Sequence, residues 1–218
     1  DPQTAGLAPA MKEAGAAVIW RCHIGVDRPN DLARRAWSFL RPYVAAADAY
    51  VSSRREYLWE GLDRQRAWFM PPVIDPFSPK NEEMDAERVA TVLAAVEEKA
   101  TIVEEAPVPE GAPVVTQVSR WDRLKDPRGL LEVFEHHLRH PSAHLVLVGP
   151  DSAGVSDDRE GAAVYAEVAE HWRGMSGACR GRSHLVSLPM ADLEENARMD
   201  NALQRRAAVI VQKSLAEG

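Results

Sequence analysis

The chain has 218 residues, a formal net charge of -7 and a pI near 5.5. With 45% hydrophobic residues, it has enough apolar material for one large core or two small ones. The acidic balance excludes a broad cationic surface, so we expect neither nucleic acid nor a membrane as a partner. Two distant cysteines, Cys22 and Cys179, predict reduced thiols without a disulfide.

The hydropathy pattern predicts a cytoplasmic protein. No apolar run approaches the roughly 20 residues that span a bilayer, and the first residues lack the basic-then-apolar pattern of a signal peptide. The sequence begins at Asp1 without a Met and stops at Gly218, shortly after a strand-like run. We therefore expect that neither end is a natural terminus.

The first part of the chain predicts alternating short strands and helices. The apolar runs predict strands at residues 17–20, 49–52 and 67–70. Helices are predicted at residues 6–13 and from Asn30 onward. Residues 71–79 hold four prolines, which remove backbone donors and fix φ, so this segment predicts a connector between domains. A helix over residues 86–99 completes the crossing.

From residue 113 onward, apolar runs and helical patterns alternate regularly. The runs predict strands at residues 114–118, 144–149, 184–188 and 208–211. The stretches between them predict helices at residues 129–138, 161–172 and 193–206. Four short strands joined by helical crossovers predict an α/β fold with a parallel sheet covered on both faces.

Three cations follow the strand at residues 114–118, namely Arg120, Arg123 and Lys125. Ligands of open parallel sheets bind beyond the carboxyl ends of the strands. Arg offers a planar fork for phosphate oxygens and Lys a mobile point charge, so this loop suits a diphosphate. The alternative is a solvated polar loop in which Arg123 pairs with an acid. No glycine-rich phosphate loop of either common type supports a dehydrogenase or a P-loop hydrolase.

Among the histidines, one is a candidate functional residue, and one group of three lacks the further ligands of a metal site. His23 follows the first strand at its carboxyl edge, although an isolated histidine is more often structural than functional. His136, His137 and His140 lie on or just after one predicted helix, without a carboxylate or Cys to complete a ligand set. They predict a solvated helix face, and we expect no metal.

Four segments in this order carry a family resemblance: residues 20–24 (WRCHI), 70–76 (MPPVIDP), 116–122 (TQVSRWD) and 212–218 (QKSLAEG). Together they resemble the trehalose glycosyltransferring synthases, which are retaining glycosyltransferases of family four with the GT-B architecture. The opening residues 1–4 (DPQT) are similar to a segment of that family's first domain.

The resemblance implies two Rossmann-like parallel-sheet lobes, both incomplete in this chain. Residues 1–75 would form the C-terminal part of the acceptor-side lobe, and residues 113–218 the N-terminal part of the nucleotide-sugar lobe. Residues 76–112 would form the connector and its helix. The family's glycine-rich loop and everything after Gly218 are absent from the sequence, so we expect the chain alone to be inactive.

The resemblance also implies roles for individual residues. Arg120 and Lys125 would hold the donor diphosphate, while His23 and Glu217 would contact the transferred sugar; these four form the expected catalytic set. For the acceptor side we assign Asp1, Gln3 and Arg21. For the nucleotide base we assign Gly149, Leu188 and Met190.

The implied reaction moves glucose from a nucleoside diphosphate glucose, with UDP or ADP as the nucleotide, to free glucose and forms trehalose with retention. No cofactor or metal is expected, the partners are the sugar nucleotide and glucose, and a homodimer stays open. The alternatives are a retaining trehalose phosphorylase, a glycosyltransferase with another acceptor, and a non-catalytic module that binds sugar nucleotides.

Overall fold

The structure, a computed structural model, describes residues 2–23, 25–137, 140–151 and 159–215. The chain divides into two compact units. The first unit ends at Ile74, and the second extends from Asp75 to Leu215.

The first unit contains a three-stranded parallel sheet with helices that precede and connect its strands. Its strands lie in the order β1 (Ile19–Cys22), β2 (Ala49–Ser52) and β3 (Ala67–Phe69). A 3-10 turn over Pro2–Leu7 leads into α1 (Ala8–Glu13), and α2 (Asp31–Val44) joins β1 to β2. Helix α2 begins where the Asn30 side chain accepts a hydrogen bond from the backbone N–H of Ala33 at 2.9 Å.

Aromatic side chains form much of the core of the first unit. Trp20 of β1 meets Trp59 edge-on, with ring centroids 4.9 Å apart, and Trp37 of α2 stacks on Trp59 at 5.8 Å. Tyr50 is fully buried in the same cluster. Strand β1 alternates exposed and buried residues, so only Trp20 and Cys22 of this strand reach that core.

The second unit is a five-stranded sheet with helices on both faces. The strands are β4 (Thr101–Val103), β5 (Val114–Val118), β6 (His144–Pro150), β7 (Ser183–Leu188) and β8 (Val209–Ile210). The helices are α3 (Ala86–Lys99), α4 (Pro127–His137), α5 (Arg159–Gly174), α6 (Gly177–Arg180) and α7 (Leu193–Arg206). The strand order is β4-β7-β6-β5-β8. Within the described ranges, no helix has both the length and the apolar character needed to cross a membrane.

The central strands are buried on both faces, as their continuous apolar runs predict. Leu145, Leu147 and Leu185 point into a cluster with α4 and α5. Val146 and Val186 point the other way, into a cluster with α3 and α7. The predicted α/β class with parallel sheets is confirmed.

The edge strand β4 was absent from the sequence prediction, which gave four parallel strands. It pairs antiparallel with β7, with Ile102 opposite Val186, while every other neighbouring pair of the sheet is parallel. Three residues directly after a helix carry too little periodicity to predict a strand. The sequence assigns the residues that form α3 and β4 to the connector. In the structure these residues belong to the second unit. Whether residues 76–112 also serve as a connector stays a prediction.

A buried histidine pair lies near the beginnings of β6 and β7. Nδ1 of His144 is 2.9 Å from Nε2 of His184, and Nδ1 of His184 is 2.7 Å from Oε2 of Glu104. Because a carboxylate only accepts, His184 donates from Nδ1 to Glu104 and accepts from Nδ1–H of His144. Burial lowers the pKa of both imidazoles, although hydrogen bonding to Glu104 opposes this shift at His184.

We predict that the free energy of unfolding of the second unit falls as the pH drops below about 6.5, the ordinary histidine pKa. Both folded-state pKa values are lowered, so the unfolded chain binds the extra protons and gains stability relative to the fold at low pH. Urea denaturation between about pH 5 and 8, followed through the NMR signal of the buried Trp172 indole, measures this change. The exposed His136→Ala variant should keep the same pH dependence, and a flat profile in the wild type would contradict the prediction.

Candidate functional site

A pocket lies at the carboxyl ends of β5, β6 and β7. Because these strands are parallel neighbours, the residues that end them meet at one edge of the sheet. The pocket has a volume of about 280 Å³, and we call it the strand-end pocket. Its lining consists of Lys80, Val118, Ser119, Arg120, Gly149, Pro150, Leu188, Met190, Asn196 and Asp200.

A second cavity, of about 740 Å³, lies between the sheet and α3. It is lined by Val114 and His184, from near the beginnings of β5 and β7, and by residues of the segment that follows β4. Parallel sheets bind ligands at the opposite ends of their strands, so we place the candidate site at the strand-end pocket.

Gln117 holds the loop that follows β5. Its side chain is almost fully buried, and its amide nitrogen donates to Oγ of Ser119 at 3.1 Å and to the backbone carbonyl of Lys125 at 2.9 Å. One buried amide therefore ties together the two ends of the loop. Sequence analysis did not single out Gln117, although a polar residue inside an apolar strand was an available signal.

The cations of this loop have different surroundings. Arg120 lines the strand-end pocket with a side chain that is 70% exposed, and its guanidinium is 3.2 Å from a carboxylate oxygen of Asp122. Arg123 instead donates two hydrogen bonds to Glu167, at 2.6 and 2.9 Å. The solvated alternative of the sequence analysis, an acid partner for Arg123, is therefore confirmed for that residue. Lys125 is absent from the described lining of the pocket.

Trp121 fastens the same loop to the end of β6. The ring is buried, its Nε1 donates to the carbonyl of Pro150 at 2.9 Å, and its centroid lies 5.0 Å from that of Tyr165. A Cβ at Gly149 would come within 2.5 Å of Cε2 of Trp121. Gly149 is thus required for the close approach of the indole to the strand, in addition to its place in the pocket lining.

Helix α7 forms a polar wall of the pocket. Asn196 donates from its amide to the carbonyl of Pro189 at 3.0 Å, next to Met190. One turn further on, Asp200 lies 2.8 Å from the ammonium group of Lys80. Burial raises the pKa of the Asp200 carboxyl, and the hydrogen bond from Lys80 opposes this rise.

Comparison with known proteins shows which proteins the chain is similar to. A model described as "Trehalose synthase, N-terminal domain" matches residues 1–59. Trehalose synthase of Pyrococcus horikoshii is 34% identical over 219 residues, which cover 100% of this chain and 47% of that protein. Trehalose synthase of Rubrobacter xylanophilus is 32% identical over 205 residues, which cover 94% of this chain and 44% of that protein.

The chain is similar in sequence to the trehalose synthases. It spans about half the length of the curated relatives that it matches. Among solved structures, Anabaena HepE in complex with UDP and glucose matches with a TM-score of 0.67 at 12% identity, over 99% of this chain and 51% of that chain. A trehalose-6-phosphate synthase, OtsA, matches with a TM-score of 0.66 at 12% identity, over 98% of this chain and 50% of that chain. These structures confirm the GT-B fold class.

The segment at residues 212–218, one of the four that resemble trehalose synthases, lies in its described part beside the loop that follows β5. After β8, the amide of Gln212 is 3.4 Å from the carbonyl of Val118, and the backbone N–H of Leu215 donates to the carbonyl of Leu124 at 2.7 Å. Lys213 forms an ion pair with Asp126. The structure therefore brings residues 212–215, the described part of the fourth segment, against the third segment at Val118 and against the turn that follows it.

The three residues assigned to the nucleotide base all line the strand-end pocket: Gly149, Leu188 and Met190. Arg120, assigned to the diphosphate, lines the same pocket. Lys80, Asn196 and Asp200, which also line it, were missed. Asn196 and Asp200 are polar residues four apart on an amphipathic helix, and this spacing was the one sequence signal that they share a helix face. Lys80 lies 120 residues before Asp200 in the sequence, so their contact had no local signal.

The remaining assigned residues belong to the first unit or lie outside the described residues. Gln3 is exposed in the first 3-10 turn, Arg21 is exposed in β1, and His23 is exposed directly after it. Asp1 and Glu217 lie outside the described residues. In the part of the chain that the structure describes, no three His, Cys, Asp or Glu side chains form a group suited to a metal ion.

We predict that Gly149→Ala destabilises the second unit by about 1–3 kcal/mol, because the new methyl group must displace the rigid Trp121 ring. Urea denaturation measures the loss, and the tryptophan fluorescence spectrum should shift as Trp121 moves. Gly174→Ala is the matched control, since a Cβ there meets nothing within 4 Å. Equal stability of the two variants would show that Trp121 does not require glycine at position 149.

Proposed function

We propose that the chain binds the nucleoside diphosphate sugar of a retaining glycosyltransferase in trehalose metabolism. The observation that carries this proposal is the strand-end pocket, which combines the cation Arg120 with the apolar side chains of Leu188 and Met190. A phosphate group needs a cation, and the flat ring of a base favours an apolar wall. The homology to trehalose synthases supports the same conclusion, and a similar structure contains UDP and glucose.

The proposed reaction of the whole protein transfers glucose from UDP-glucose or ADP-glucose to glucose, with retention at the donor carbon. Arg120 and Lys125 would stabilise the negative charge that grows on the leaving diphosphate, more strongly in the transition state than in the ground state. A metal ion is not needed in this scheme. His23 and Glu217 would contact the transferred glucose, and the acceptor would attack from the same face as the leaving group.

The acidic neighbour of Arg120 is compatible with phosphate binding. The ion pair between Arg120 and Asp122 lies largely in solvent at the Arg120 end, where such pairs contribute about 0–1 kcal/mol. A diphosphate offers more charge and more acceptor oxygens than one carboxylate. Asp122 also accepts the backbone N–H of Leu124 at 2.8 Å, which keeps Asp122 in place when Arg120 turns to a ligand.

We predict that Arg120→Ala and Lys125→Ala each weaken the binding of UDP to the chain by about 10- to 100-fold, the cost of one charge-assisted hydrogen bond. Isothermal titration calorimetry with UDP and with uridine tests this, since uridine lacks the phosphates and should bind the variants as it binds the wild type. Arg123→Ala is the matched control from the same loop, because Arg123 is held by Glu167, and it should bind UDP within about threefold of the wild type. Unchanged UDP binding by both test variants would refute the assignment of the diphosphate site.

We also predict that the 218-residue chain, given UDP-glucose or ADP-glucose together with glucose, forms no trehalose. The expected reason is that the chain spans about half the length of the trehalose synthases that it matches. Anion-exchange chromatography with pulsed amperometric detection measures trehalose. Trehalose formation would show that the chain is sufficient for transfer, whereas glucose 1-phosphate from trehalose and inorganic phosphate would select the phosphorylase alternative.

A further inference from the structure

The helical wall of the strand-end pocket contains a buried acid that the proposed reaction does not use. Asp200 is 8% exposed and lines the pocket beside Asn196. Its only cation within the described residues is Lys80, whose side chain is 52% exposed and also lines the pocket. A carboxylate in a ligand cleft is a candidate recognition group when its protonation equilibrium is perturbed by burial and by one specific partner.

The chemistry of a carboxylate limits what Asp200 can recognise. An ionised carboxylate accepts hydrogen bonds and repels anions, so its partner on the ligand must donate. The phosphates of a nucleoside diphosphate have no donor at neutral pH, whereas the base and the ribose do. The apolar side chains of Leu188 and Met190 line the same pocket and suit a flat ring. The base is therefore the part of the donor that Asp200 is placed to meet.

The surroundings of Asp200 hold it in a fixed position. The side-chain amide of the next residue, Asn201, donates to the carbonyls of Pro79 at 3.1 Å and Glu82 at 2.8 Å. The backbone on both sides of Lys80 is thereby attached to α7. Lys80 in turn reaches Asp200 at 2.8 Å, which gives the pocket a preorganised donor and acceptor side by side.

We propose that Asp200, positioned by Lys80, reads the donor nucleotide by accepting a hydrogen bond from an N–H group of its base. The inference rests on the proposed function, because it identifies the recognition of the nucleoside within the same pocket. Adjacent donor and acceptor groups on the protein match the adjacent acceptor and donor groups on the edge of a base. Asp200 is then a specificity-determining residue, with no part in binding the diphosphate.

The test is isothermal titration calorimetry of the 218-residue chain with UDP, uridine, ribose 5-phosphate and inorganic pyrophosphate. Asp200→Asn should lower the affinity for UDP and for uridine by about tenfold or more. The affinities for ribose 5-phosphate and pyrophosphate should stay within about twofold of the wild type. The matched control is Glu195→Gln on the same helix, whose partner Lys99 lies 2.5 Å away and which does not line the pocket. Weaker ribose 5-phosphate binding by Asp200→Asn would instead assign Asp200 to the sugar and overturn base recognition.

A second variant keeps the proposal testable if Asp200→Asn does not fold. Lys80→Met changes a half-exposed side chain and should lower the affinity for uridine several-fold. Lys99→Met, the control, should leave the affinity for uridine unchanged. Unchanged uridine binding by Lys80→Met, or an equal loss for all four ligands, would refute base recognition and leave the proposed function intact. A wild-type chain that binds neither UDP, ADP nor pyrophosphate would instead refute the proposed function itself.

Discussion

The packing of Trp121 against the end of β6 is the contact on which the candidate site depends. The indole donates to the carbonyl of Pro150 and lies so close to Gly149 that no side chain fits between them. This contact places the loop after β5 directly over the carboxyl ends of the neighbouring strands. Arg120, next to Trp121 in sequence, reaches the pocket because of it.

The charges around the pocket explain how an acidic chain can present a site for an anion. With a net charge of -7, the chain has no general attraction for a diphosphate, so any attraction must be local. Arg123 and Lys213 are engaged by Glu167 and Asp126, which hold the turn and the start of α4 in place. Arg120 differs because its side chain is 70% exposed and its guanidinium contacts Asp122 at 3.2 Å, whereas Arg123 donates two hydrogen bonds to Glu167, at 2.6 and 2.9 Å.

The sequence predicted most elements of the second unit because buried parallel strands produce continuous apolar runs. Residues 114–118 and 193–206 match β5 and α7, and residues 144–149 match β6 to within one residue. Strand β4 was not predicted because its antiparallel pairing at the sheet edge depends on tertiary contacts, and three residues are too few to show a strand pattern.

The candidate site was predictable only where chain order determines position. Leu188 ends β7, and Arg120 and Met190 lie two residues beyond β5 and β7, so parallel topology alone brings them to one edge. The pairing of Arg123 with Glu167 and of Lys80 with Asp200 depends on how helices pack on the sheet. Such contacts leave no mark in sequence spacing.

The second unit has polar clusters near both ends of its central strands, and their hydrogen bonding differs. Near the strand beginnings, His144, His184 and Glu104 hydrogen-bond one another, and both histidines are buried, so a ligand could bind the imidazole nitrogens of this pair only by breaking buried hydrogen bonds. At the carboxyl ends, Arg120 binds Asp122 through a side chain that is 70% exposed, so a ligand can replace this acid at little cost. A polar group stabilises the fold when its partners are buried with it, and it is available for binding when water can already compete for it. By this criterion, the carboxyl ends of the strands form the functional edge of the sheet.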